Sequence, residues 1–394
     1  MRIRGWKQTF VVVAALSLAL GACGGDDDDD VSTDDTEATT DETEATDDTA
    51  AEGDGDEAAA SVTLDDVCEE ATAAGVTAPE GYTVRLVTDI GKVDDGTFNQ
   101  FAYDAMIAAS ECFGFETTFI ETASEADYAT NISTALEGGP DVLITNGFLI
   151  STDTLAAAEA NPDTSFIGID QFQAAYPDNY LGVLFREDQG GYLAGVMAAS
   201  LSDSGVIGVV GGREDVPPVV RFVNAYETGA KSVNPDIVVL SVYNESFTDP
   251  NKGASDAAQF MGEGADVIFG AGGQTGSGGV SAAAEAGAWG IGVDQDEYFT
   301  TFSGGTAPGS EYLATSAVKR VDLAVFKNIV AALDGSFAGG IYQLEAANDG
   351  ITYAPFHDAD IPDDVAAAVE EARVGLADGS IDTGVDPVTG LPNS

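Results

Sequence analysis

Residues 86–100 read Leu-Val-Thr-Asp-Ile-Gly-Lys-Val-Asp-Asp-Gly-Thr-Phe-Asn-Gln. An apolar run of strand length gives way to a polar loop with two glycines, and the loop to a segment of helical spacing. There Phe98, Phe101, Ala102, Ala105, Met106, Ala109 and Cys112 recur at the interval that lines one face of a helix. Strand, loop and helix in this order form the unit of an open α/β sheet, whose ligands settle outside the carboxyl ends of the strands. Asp89 and Phe98 lie at the two ends of that loop and are candidate ligand contacts.

The alternation continues outward. Residues 82–88, 117–121, 142–146, 166–170 and 180–185 have strand character, and 98–113, 127–137 and 152–161 are the helices between them. Val142-Leu143-Ile144 is continuously apolar, as in a parallel strand buried on both faces. The pattern then repeats, with strands at 206–210, 238–242, 267–269 and 290–293 and helices at 218–232, 252–262 and 278–286. Residues 188–201 give a helix near the crossover, and 310–333 a long amphipathic helix that returns the chain to its first half. Two such runs imply an α/β protein of two doubly wound, Rossmann-like lobes with a hinged cleft between them.

The expected organisation is a signal segment (1–22), an acidic tether (23–60), an N-terminal extension (61–81), lobe 1 (82–186) and lobe 2 (187–304). A return to lobe 1 with a C-terminal segment (305–380) and a flexible tail (381–394) follow. Arg2, Arg4 and Lys7 precede a short apolar run from residue 10 to 20, too short to span a bilayer core of about 30 Å. Leu20-Gly21-Ala22-Cys23 follows and resembles the bacterial lipobox, which implies lipidation of Cys23. The alternative is an ordinary secreted protein cleaved before Cys23. Residues 26–57 are almost entirely Asp, Glu, Thr, Ala and Gly, a composition that stays extended and disordered. The protein is thus expected on the extracytoplasmic face of a bacterial membrane, held by lipid alone.

The formal net charge is −54, more than the tether accounts for, so the folded part is acidic too. That argues against nucleic acid and anionic membrane surfaces as partners. It also fits a protein living in salty water. Cys68 and Cys112 remain as an even pair in an exported chain and are a candidate disulfide, although Cys112 equally fits the buried face of a helix. His357 is the only histidine and lies beside Asp358, where a structural role is the simpler reading. No zinc or other metal site is expected, and no cofactor. One histidine and no suitable cysteine leave no nucleophilic triad, and Asp94-Asp95 reads as a solvated loop pair, so an enzyme is not expected.

Seven segments in order carry a family resemblance: TDIG (88–91) with DDGTFNQ (94–100), FREDQGGYLAG (185–195), GG (211–212) with VVRF (219–222), SFTDP (246–250), GAGGQTG (270–276), GVDQD (292–296) and TSAVK (315–319). In these the chain resembles the basic membrane protein family of solute-binding lipoproteins, which includes the purine nucleoside receptor. The resemblance covers residues 82 to about 380. It implies a fold like the type I periplasmic binding proteins and capture of a nucleoside, of the purine class, for an ABC importer with permease and ATPase subunits. It further implies that Asp89, Phe98, Phe247, Gly273, Asp294 and Lys319 line the pocket. Asn99 and the turn Asn146-Gly147-Phe148 complete the candidate set, the turn beside the base, where no family motif can be matched.

The residues support this independently. Asp89 and Asp294 each end an apolar strand, where an ionised carboxylate can take both hydrogens of a ribose diol. Phe98 and Phe247 sit in polar loops of different lobes and can sandwich a flat base, with stacking worth ~1–3 kcal/mol, or can be core. The glycines at 272, 273 and 276 fit neither a dinucleotide fingerprint nor a phosphate loop, but let backbone N–H groups approach a ligand. Lys319, placed in the 310–333 helix, can reach a ribose or base oxygen, pair with Asp294, or lie on the surface. Lys92 is a further cation near the cleft. A monomer is expected. The alternative to nucleoside import is a receptor of the same fold for a sugar or signalling molecule, acting as a sensor.

Overall fold

The computed structural model describes residues 62–393; the signal segment, Cys23 and the tether lie outside them. The first stretch runs α1 (Leu64–Ala73), β1 (Thr83–Ile90), α2 (Phe98–Phe113), β2 (Glu116–Thr122), α3 (Tyr128–Ala135), β3 (Val142–Asn146), α4 (Ser151–Ala160), β4 (Ser165–Ile169) and β5 (Tyr180–Phe185). The second runs α5 (Glu187–Leu201), β6 (Val206–Gly211), α6 (Pro217–Val233), β7 (Val238–Tyr243), α7 (Pro250–Gly262), β8 (Val267–Ala271), α8 (Gly273–Glu285), β9 (Trp289–Asp294) and β10 (Leu313–Lys319). The chain then adds α9 (Val321–Asp334) and β11 (Gly340–Leu344) to the first lobe, and β12 (Ile351–Tyr353) and α10 (Asp363–Asp378) to the second.

The sheet orders are β11-β5-β4-β3-β1-β2 and β12-β10-β9-β8-β6-β7. Every ladder is parallel except that of β12 with β10. The two orders correspond place by place, so β1 matches β6 and β4 matches β9. Three segments carry the chain between lobes: Arg186, Arg320 and residues 345–350. Arg186 N–H donates to the Leu344 carbonyl at 2.9 Å, and Arg320 N–H to that of Gly350 at 3.0 Å. Each arginine also forks onto the aspartate two residues on, Asp188 or Asp322.

Both sheets are covered on both faces, which explains the continuously apolar inner strands such as β3 and β8. In lobe 2 the glycines of the 190–195 motif serve packing. A Cβ at Gly195 would stand 2.2 Å from the Tyr226 carbonyl, and one at Gly229 2.2 Å from that of Tyr192, so α5 and α6 touch backbone to backbone.

Two expectations change. Residues 310–333 are not one helix: a short 3₁₀ turn (Ser310–Tyr312) precedes strand β10, and only then does α9 begin. Every residue of β10 is buried, so it lacks the alternation that marks a half-exposed strand and mimics an apolar helical stretch. Residues 381–393 are bound, not loose. Thr383 Oγ1 donates to Asp188 at 2.7 Å, and Asn224 Nδ2 donates to the Gly390 carbonyl at 2.6 Å. The extension at 61–81 holds a helix whose N-terminus is closed by a Thr63–Asp66 capping box. A disulfide joins Cys68 of that helix to Cys112 of α2.

Candidate functional site

The carboxyl ends of β1, β4, β8, β9 and β10 meet at a cavity lined from both lobes, the place where an open α/β sheet takes its ligand. Lobe 1 contributes Asp89, Phe98, Asn99, Phe148 and Asp170, and lobe 2 contributes Phe247, Gly273, Asp294 and Lys319. An apolar wall of Val216, Val219 and Phe222 comes from the start of α6.

The loop between β1 and α2 is set by hydrogen bonds. Asp95 accepts from the N–H groups of Thr97, Asn99 and Gln100 at 2.9, 3.0 and 3.0 Å, which fastens the N-terminus of α2 at the cavity. Asp95 is therefore a half-buried cap, not the solvated group expected, while Asp94 is exposed. Asn99 Oδ1 accepts from Asp89 N–H at 3.0 Å and from Asn146 Nδ2 at 3.0 Å. Asp89 Oδ1 accepts from Ile90 N–H at 2.7 Å and from the Tyr128 hydroxyl. Burial pushes the Asp89 carboxyl up to about 6, although the Tyr128 bond works against the rise.

Lys319 ends β10 and is 2% exposed. Its Nζ lies 2.6 Å from Asp170 Oδ2 and 2.9 Å from Glu187 Oε1, and 5.0 Å from the centre of the Phe98 ring. Glu187 Oε2 also accepts from Arg221 Nε at 2.6 Å. Burial opposes the charge on Lys319, but Asp170, Glu187 and Asp294 outweigh it and hold the ammonium above its ordinary value. Asp294 takes no hydrogen bond or ion pair from a described residue, and its carboxylate borders the cavity. Burial is the first cause that pushes it up to about 7; Lys319 lowers it, and Asp170 raises it again. The site is thus an anionic, partly neutralised floor suited to hydroxyl and N–H donors, walled by aromatic and aliphatic carbon.

On the second lobe, α8 begins at Gly273, whose φ of +56° suits glycine, and its first amides have no partner inside the helix. Phe247, in the loop after β7, is half-buried and faces the same cavity. The lobes also meet directly. Gln295 Nε2 donates to the Thr97 carbonyl at 3.0 Å, Thr300 Oγ1 to that of Gly96 at 2.8 Å, and Arg213 Nη1 to Glu125 at 2.5 Å.

Of the nine residues singled out from sequence, eight border the cavity. Asn146 does not: it is fully buried behind Asn99, which its amide orients. Lys319 lies on a strand instead of a helix, and its ion-pair partners are Asp170 and Glu187 instead of Asp294. Lys92 is exposed and outside the cavity lining. His357 stacks on Tyr298 at 4.0 Å with Nε2 2.7 Å from Asp296, also outside the lining. Asp170 was missed, yet a signal existed. Residues 167–171 read Ile-Gly-Ile-Asp-Gln and residues 291–295 read Ile-Gly-Val-Asp-Gln. The repeat falls on the matching strands β4 and β9, and both aspartates take a positive φ, 62° and 67°.

A sequence profile of the family described as "ABC transporter substrate-binding protein PnrA-like" matches residues 83–362, both lobes together. The chain is 32% identical over 317 residues to a "CD4+ T-cell-stimulating antigen" of Listeria monocytogenes, covering 76% of this chain and 87% of that one. It is 32% identical over 315 residues to the "ABC transporter nucleoside-binding protein BmpA" of Lactococcus lactis, covering 75% and 87%. Its fold is similar to that of an ABC transporter solute-binding protein from Aeropyrum pernix K1, with a TM-score of 0.68 at 24% identity over 76% of this chain and 92% of that one. With two lobes of mostly parallel sheet closing on one cavity, the chain belongs to the PnrA-like family of ABC transporter substrate-binding proteins.

Proposed function

We propose that this protein captures a nucleoside, of the purine class, between its lobes and delivers it to an ABC importer. The observation that carries the reading is one cavity holding Phe98 from lobe 1, Phe247 from lobe 2 and the unpartnered carboxylate of Asp294. The two rings would stack on the faces of a base, and Asp294 and Lys319 would take the ribose hydroxyls, with the amides of Gly273 and Gln274 beside them. The nucleoside named for the Lactococcus lactis relative supports the same ligand class. Asp89, Asn99 and Phe148 then stand at the lobe 1 side, where base identity is read.

Capture works by hinge closure at the three crossings. A ligand touching both lobes stabilises the closed state through contacts it makes only there. The protein acts as a monomeric binding protein, without enzymatic activity, held outside the cytoplasm by lipid on Cys23 and by its acidic tether. Phe98→Ala and Phe247→Ala are expected to weaken nucleoside binding at least tenfold each, in line with ~1–3 kcal/mol per stacked base. Asp294→Ala is expected to erase the preference for ribosides over free bases. Unchanged affinity in both Phe variants would sink the stacking arrangement.

A further inference from the structure

Tyr128 lies outside the cavity lining, yet its hydroxyl is bonded to a residue within it. It opens α3, is 1% exposed, and donates to Oδ1 of Asp89. Ile90 N–H donates to the same oxygen at 2.7 Å. Two donors on one oxygen fix the plane of the carboxylate and leave Oδ2 as the atom turned to the cavity. Gly147 keeps the space at Oδ2 open: its φ is +106°, and a Cβ there would stand 2.2 Å from that oxygen. Burial, reinforced by the charge of Asp89, holds the Tyr128 phenol well above its ordinary value, so it remains a donor throughout the neutral range. Glu125, in the 3₁₀ turn just before Tyr128, and Arg213, after β6, act on Asp89 more weakly and in opposite senses.

We propose that Tyr128 is a positioning residue of the ligand site: its hydroxyl clamps Oδ1 of Asp89, so that Oδ2 is presented to an N–H or O–H donor of the ligand. This rests on the cavity being the nucleoside site proposed above. Phenylalanine would fill the same volume, so a packing role alone gives Tyr128 no use for its hydroxyl. The clamp also couples ligand recognition to closure, because the turn just before Tyr128 carries the Glu125 that meets Arg213 of the other lobe.

The test compares Tyr128→Phe with the natural chain by two readouts. The first follows the Asp89 side-chain carboxyl by carbon NMR against pH, without ligand. The midpoint near 6 is expected to rise by about one pH unit when the donor is lost, since hydrogen bonds to charged groups are the stronger ones. The second is guanosine affinity against pH. The variant should lose about fivefold more at pH 6 than at pH 8, the ratio of ionised fractions after such a rise. An unmoved carboxyl midpoint, or a loss of the same size at both pH values, would overturn the proposal. If the natural chain ignores every nucleoside while the midpoint still moves, the clamp stands and the nucleoside assignment falls. Asp89→Asn provides the control: in that background Tyr128→Phe should leave the pH dependence of binding unchanged, and an added pH-dependent loss there would also overturn the proposal.

Discussion

Replacing Asp294 by asparagine should weaken the ligand site and strengthen the fold at the same time. Its carboxyl is pushed from an ordinary 3.8 up to about 7, chiefly by burial. Between those values the folded chain holds a proton that the unfolded chain has released, so stability falls as pH rises through the window. Once ionised, the group costs the fold at most about 4 kcal/mol, from ~1.4 kcal/mol per pH unit. The carboxylate lies on the cavity wall, where screening from the open side holds the realised cost to roughly 1–2 kcal/mol. Asp294→Asn removes that cost without a large change of volume. Thermal unfolding of the ligand-free protein should therefore give nearly equal Tm values at pH 3.5, a gap that opens as pH rises through the window, and a variant higher by roughly 2–6 °C at pH 8. Asp89, Asp170 and Glu297 are raised in the same sense, so only the difference between the two chains isolates Asp294. A variant that melts lower at pH 8, or a gap as large at pH 3.5 as at pH 8, would refute the assignment of a buried, unpartnered charge.

Three further outcomes are expected. Lys319→Met leaves Asp170 and Glu187 without their shared cation and should destabilise the chain by about 3 kcal/mol or more, read by urea unfolding. Arg213→Ala breaks an ion pair between the lobes whose Glu125 partner is half exposed; with such pairs worth ~0.2–1 kcal/mol, ligand dissociation in stopped flow should quicken no more than about fivefold. Gly147→Ala sets a methyl against Asp89 Oδ2 at a backbone angle hostile to side chains. It should abolish binding in calorimetry, whereas Gly139→Ala, also at positive φ but with open space around it, should leave affinity unchanged.

Much of this architecture is legible in the sequence because its periodicities are clean. The helix at 98–113 is legible to the residue: one face of small apolar side chains packs on the sheet, and Gly114, at φ 78°, stops it in the left-handed conformation. β3 is legible as well, since a fully buried parallel strand flanked by turns has few other readings. β10 failed for the same physical reason that made β3 easy. Seven buried residues joined to an amphipathic helix by a single residue look like one longer helix when no alternation marks the strand. Among site residues, Asp89 and Asp294 were found because each ends an apolar run. Asp170 ends one too, but only its place beside Lys319, 149 residues away, reveals what it does. Asn146 shows the converse limit: its sequence position is next to the cavity, and its amide turns away to hold Asn99.

The central claim is that the cavity binds a nucleoside through base stacking and ribose hydroxyls together. Titration calorimetry of residues 60–394 against inosine, guanosine, adenosine, cytidine, ribose and the free bases tests it most directly. Tight binding of a purine nucleoside, with ribose and free bases each much weaker, is the expected result. Silence from every nucleoside, or equal binding of a riboside and its free base, would contradict it.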